Sequence, residues 1–389
     1  MKSKAILQIT LFVVILFSCK QVVGQHPAKP FVQQFKANHS KAQAIQAIID
    51  EYTQKGVPGI AVAIKDKEGI WEGASGYARL ESKQPLTPGY VHAGASITKI
   101  YMGAAFLLLK EQQKVNLEAP ITQYLPVRIT SKIEKADSIT VRMLLNHTSG
   151  IRDYISDPAF LANWESNPTK QWTANEALTY IYDKPLLFSP GSSFTYSNTN
   201  YILLSFIIEN ITKRKEGAFL QDALFKKAGL KYTFYKTQPK YLEGLPMPDY
   251  YFDRENTGEL QNVTLPTKVE INGELGDGGL VATPIDFVLF MDALMKGRLI
   301  TPGSLHEMKQ FDPASEYGLG LQTGFNYANK QQHGHLGAVV GGASLLLYFE
   351  EQETALFIGS NVDANLFESK TRRLYHEMKN KICEYIASH

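Results

Sequence analysis

Strand-like sequence lies near the two ends of this chain and almost nowhere between, and this constrains the fold more than any other feature. Residues 59–64 and 70–77 read as two strands joined by the polar turn 65–69. Strand character returns only at 317–322, 344–349 and 354–360, the last two runs joined by the acidic turn 350–353. Runs joined by tight turns pair as hairpins, which predicts a largely antiparallel sheet. The stretch from about 113 to 262 reads as mainly helical, punctuated by Pro120, Pro126, Pro168, Pro185 and Pro190. The expected fold class is therefore α/β: an antiparallel sheet flanked by helices, with an inserted helical domain. The α/β part should span about 40–110 and 270–389 and the helical part about 111–269. Flanking helices are expected over 41–52, where Ile45, Ile48, Ile49 and Tyr52 share one face, from Ser96 to about 113, and over 366–386, where Leu374, Met378, Ile382 and Ile386 do so.

The first 24 residues carry a different signature. Lys2 and Lys4 precede an almost uninterrupted apolar run, 6–17, too short for a comfortable membrane span and suited to a cleaved export signal. Val22-Val23-Gly24 before Gln25 fits ordinary signal cleavage. Leu16-Phe17-Ser18-Cys19 resembles a lipobox, with Phe17 a bulky departure, and cleavage there would leave Cys19 as a lipidated first residue. The chain is thus expected to be exported, periplasmic or secreted, touching a membrane only through the signal or a lipid anchor at Cys19. Residues 25–389 would form the working domain.

Removing residues 1–24 takes away Lys2, Lys4 and Lys20 and no acids, so the formal net charge goes from +2 to −1. A near-neutral domain has no electrostatic footprint for nucleic acid. Cys383 would then be the single remaining cysteine, so no intrachain disulfide can form and the fold must hold by its core. The nine histidines show no metal-ligand spacing, and neither a metal nor another cofactor is expected.

Ser96-Ile97-Thr98-Lys99 places a hydroxyl and an amine one helical turn apart at a helix start. A serine hydroxyl is a poor nucleophile until a base takes its proton, and lysine can be that base only in its neutral form. A helix N-terminus also aims backbone N–H groups at developing negative charge. Alone the motif is weak, because an N-capping serine beside a solvated lysine has the same pattern. Further along come Tyr196-Ser197-Asn198 and then His333-Gly334-His335-Leu336-Gly337-Ala338, whose glycines would let a substrate approach the backbone of a strand.

Together with Leu144-Leu145-Asn146-His147-Thr148-Ser149-Gly150-Ile151 and Gly276-Asp277-Gly278-Gly279-Leu280, these segments resemble the serine β-lactamase and penicillin-binding DD-peptidase superfamily, in its order, over roughly residues 42–386. The resemblance implies a β-lactamase-like fold and acyl transfer through a Ser96 ester, with Lys99 as base and Tyr196 as proton shuttle. It implies that Asn198 bonds the acyl-side amide of the substrate, and that Ser96 and Ala338 supply the oxyanion N–H groups. His335, beside Gly337, stands where many members have the lysine of a Lys-Thr-Gly triad, and a partly charged imidazole there would hold a substrate carboxylate weakly. His147 reads as scaffold. The substrates implied are D-Ala-D-Ala-type peptides, including those of peptidoglycan, or related amides and esters. β-Lactam and carboxylic-ester hydrolysis are alternatives, and a non-hydrolytic envelope protein binding muropeptides or β-lactams is the alternative of another class.

Overall fold

The computed structural model describes residues 28–236, 240–253, 255–273, 275–362 and 369–389. The expected export signal, Cys19 and the first residues of the expected terminal helix lie outside these.

Seven strands form one sheet: β1 (Gly59–Lys65), β2 (Ile70–Arg79), β3 (Gln84–Pro85), β4 (Gln322–Tyr327), β5 (Lys330–Val339), β6 (Gly342–Phe349) and β7 (Thr354–Ser360), in the order β3-β2-β1-β7-β6-β5-β4. Every neighbouring pair is antiparallel. The two ends of the chain meet at the centre, where Ile60 pairs with Ser360 and Lys65 with Ala355.

Alternation along the strands sorts their side chains into two layers. Ile60, Val62, Ile64, Leu345, Leu347, Leu356 and Ile358 face outward against α1 (Ala42–Gln54) and the terminal helix Lys370–Ser388. Ala63, Leu346, Ala355 and Phe357 face inward. There they meet helix α2 (Thr98–Glu111) and the helix Pro284–Met295, whose Phe287 ring stacks on Phe357 at 4.3 Å. The inner core continues without a break into the helical segment through Leu144, Leu203, Ile207 and Leu224.

Two expectations shift. Residues 317–322 do not form a strand; the strand begins at Gln322. Gly320 turns the chain onto α2 instead. A side chain at Gly320, where φ is +78°, would overlap Lys99 O, and one at Gly103 would overlap Leu319 O. The helix expected from Ser96 begins as a single 3₁₀ turn, Ala95–Ile97, before α2 takes over.

Candidate active site

Ser96 sits in that 3₁₀ turn, after Ala95 with φ +47°, a left-handed conformation that is strained for a residue with a side chain. The turn is pinned on both sides. Gly94 N–H donates to Leu280 O at 2.7 Å, and Ser344 Oγ donates to Gly94 O at 3.3 Å. Gly337 of β5 packs here, because any side chain on it would overlap Gly94 O and Ser344 Oγ. Ala338, next along β5, is exposed.

Lys99 lies one turn into α2 and is fully buried. Its Nζ donates to Asp277 O at 2.7 Å, to Asn198 Oδ1 at 2.8 Å and to Ser96 Oγ at 3.2 Å. It also stands 5.0 Å from the centre of the Tyr196 ring and 5.3 Å from that of Tyr201. Asn198 opens the helix α3 (Asn198–Thr212), with Tyr196 just before it. The Asn146–Ile151 segment cradles this approach. His147 O accepts from Thr195 N–H at 3.1 Å, and His147 Nδ1 accepts from Ser197 N–H at 3.2 Å. The structure thus gathers Ser96, Lys99, Tyr196 and Asn198, with Gly337 against the nucleophile's turn.

His335 differs from its expectation. It is buried, with Nδ1 2.6 Å from Leu336 O and Nε2 3.0 Å from Tyr317 Oη. A carbonyl can only accept, so Nδ1 carries the hydrogen, and Nε2 accepts from the tyrosine hydroxyl. Burial first, and then the Lys99 charge, push its pKa down to about 3. The imidazole is therefore neutral at pH 7 and is not the partly charged anchor for a carboxylate that the sequence suggested. His147 is held neutral for the same reasons, burial foremost.

Three groups were not assigned a role from the sequence. Asp277 supplies the carbonyl that takes a Lys99 hydrogen, and its own carboxylate accepts from Tyr154 Oη at 3.0 Å and Leu275 N–H at 3.1 Å. Asp153 Oδ2 accepts from Asn198 Nδ2 at 3.0 Å, so both ends of the Asn198 amide are engaged within the protein. Tyr317 packs between His147 and Tyr196. The Asp277 glycine cluster was the one local signal; Asp153 and Tyr317 carry none. Burial raises the pKa of both carboxyls, that of Asp153 to about 6, with Lys99 acting the other way. Burial also raises the Tyr196 phenol, opposed by the Lys99 charge and by hydrogen bonding with Lys99 and Ser96.

A nucleophile beside a buried amine, with polar groups converging on both, is an arrangement for acyl transfer. A sequence model of the Beta-lactamase family matches residues 43–377. The chain belongs to that family. Penicillin-binding protein 4* of Bacillus subtilis (strain 168) is 24% identical over 327 residues, covering 80% of this chain and 69% of that protein. Among solved structures, the D-amino acid amidase from Ochrobactrum anthropi SV3, complexed with L-phenylalanine amide, superposes with a TM-score of 0.76 at 29% identity, covering 89% of this chain and 98% of that one. A D-stereospecific amidohydrolase from Streptomyces sp. gives a TM-score of 0.71 at 27% identity over 82% of this chain and 94% of that one. This beta-lactamase-family protein is a serine hydrolase with a β-lactamase-like fold, and the non-hydrolytic reading is set aside.

Proposed function

We propose that this hydrolase is an exported amidase or peptidase that opens amide bonds on the carboxyl side of D-configured residues through a Ser96 acyl-enzyme. The observation that carries the reading is the 3.2 Å contact between Ser96 Oγ and Lys99 Nζ, in a site where the amine is fully buried. The likeness to two D-selective amide hydrolases supports the choice of substrate.

In this mechanism Lys99 acts in its deprotonated form, keeping its two hydrogens on Asn198 Oδ1 and Asp277 O and turning its lone pair to Ser96. It takes the Ser96 proton as Oγ bonds to the substrate carbonyl carbon. The oxyanion forms against the N–H groups of Ser96 and Ala338. Tyr196 gives its hydroxyl proton to the departing nitrogen and recovers one from Lys99, which leaves the acyl ester and a free amine. Water then enters, Tyr196 passes its hydroxyl proton to Lys99 as it draws one from the water, and the ester opens to the acid as Lys99 returns that proton to Ser96. Asn198 and the Asp277 carbonyl orient the amine that starts the sequence.

A panel of D-alaninamide, L-alaninamide, a D-Ala-D-Ala peptide, nitrocefin and p-nitrophenyl butyrate tests the reading. D-amides or D-peptides should be the best substrates, and Ser96→Ala should abolish turnover and labelling by a fluorophosphonate. Faster cleavage of the L-amide, or turnover of the ester alone, would reject the substrate assignment. Turnover by folded Ser96→Ala would reject the nucleophile. Export is read from the N-terminus of the native protein: a start at Gln25 or a lipidated Cys19 supports it, and an intact Met1 opposes it.

A further inference from the structure

One carboxylate beside the Ser96 site has no task in these steps. Asp153 Oδ2 meets Asn198 Nδ2 at 3.0 Å, and among the described residues Oδ1 receives only the Ile155 N–H at 3.3 Å. Asp277, the fully buried acid here, has both oxygens occupied by Tyr154 and Leu275. Among the described residues no cation forms an ion pair with Asp153, and Lys99 is spent on Asn198, Asp277 O and Ser96. Asp153 is half-buried, and the turn that it caps ends at exposed Ile155 and Ser156.

The chemistry of an acyl-side residue matters here. Its α-nitrogen is two bonds from the carbonyl carbon that Ser96 attacks. It therefore falls close to the Ser96–Lys99 pair, where Asn198 bonds Lys99 through Oδ1 and Asp153 through Nδ2. Resting on the reading that Ser96 opens such amides, we propose that Asp153 receives the free α-ammonium group of the acyl-side residue. The preferred substrates are then unblocked D-amino acid amides and peptides with a free N-terminal D-residue. An N-acylated substrate would present an amide with no positive charge to the carboxylate and lose the ion pair. Burial penalises the bare Asp153 carboxylate, and a bound ammonium would relieve that penalty. Capping the turn at Tyr154–Ser156 uses Oδ1 and holding Asn198 uses one lone pair of Oδ2, which leaves each oxygen a further acceptor position.

The test measures kcat/KM of the full-length enzyme on D-alaninamide and N-acetyl-D-alaninamide, and on the two corresponding methyl esters. The parent should favour the free amine in each pair by about 10- to 100-fold, the range for a hydrogen bond to a charged group. Asp153→Asn should bring that ratio close to one, and Asp153→Glu should keep part of it. A capping role alone would depress all four substrates together and leave the ratio intact. A ratio near one in the parent, or an unchanged ratio in Asp153→Asn, overturns the proposal. Should Asp153→Asn not fold, the parent ratio and Asp153→Glu decide. Preference among the esters with no amide cleaved would remove the amidase reading and keep the role of Asp153. Turnover of D-amides with no preference would do the reverse.

Discussion

Gly337 is the residue on which the approach of β5 to the nucleophile depends. A methyl group there would overlap Gly94 O and Ser344 Oγ, and neither can retreat while Gly94 N–H is bonded to Leu280 O and Ser344 to Gly94. Gly337→Ala must therefore move β5, and with it Ala338, away from Ser96. Displacement of this size at a reacting centre costs about a hundredfold in rate. The expected outcome is a fall of that order in kcat/KM on the best amide, with the protein still folded by circular dichroism. Activity like the parent's would mean that Ala338 takes no part in holding the oxyanion.

At the scale of elements, β2 carries a buried acid under the sheet. Glu72 accepts from Gly89 N–H at 3.0 Å and has Asp286 of the helix Pro284–Met295 as its charged neighbour. Burial, opposed by the Gly89 hydrogen bond, raises its pKa from 4.5 to about 7. A carboxyl whose pKa is raised on folding binds its proton more tightly in the folded state. Its ionisation therefore removes stability as pH rises from the unfolded value through about 7. Glu72→Gln keeps an acceptor for Gly89 and cannot ionise. The variant should match the parent near pH 4 and exceed it at pH 8 by about 1–3 kcal/mol. Urea titrations at the two pH values check this, and equal stabilities at pH 8 would show that the Glu72 charge is solvated.

For the whole molecule, the inner core joins the sheet to the helical segment, so the two should unfold together. Trp71 packs in the outer layer, while Trp164 and Trp172 lie against the inner core. Cys383 is buried in the outer layer, and burial pushes its thiol up to about 12. In the chain beginning at Gln25 this thiol should be unreactive towards Ellman's reagent in the native state. It should become reactive at the same denaturant midpoint as the tryptophan fluorescence change. Two separated midpoints would show that the helical segment melts as its own unit.

Of the strands that could be read along the chain, β1, β6 and β7 are continuous aliphatic runs, which have no stable place except burial on both faces, and β2 follows β1 across the polar turn 65–69. The Ser96–Lys99 pairing was legible for a related reason, since positions i and i+3 meet through local helix geometry. β5 carries Gln331, Gln332, His333 and His335 and no aliphatic alternation to mark its length; it forms because β4 and β6 hold it. The start of β4 moved because Gly320 packs against a helix more than two hundred positions earlier, a contact no local pattern records. Within the site the same division holds. That Lys99 is a candidate base can be read from one tetrapeptide. Its acceptors on Asn198 and Asp277 lie 99 and 178 positions away. The neutral state of His335 depends equally on distant residues, because desolvation belongs to the surroundings that folding assembles and not to the side chain alone.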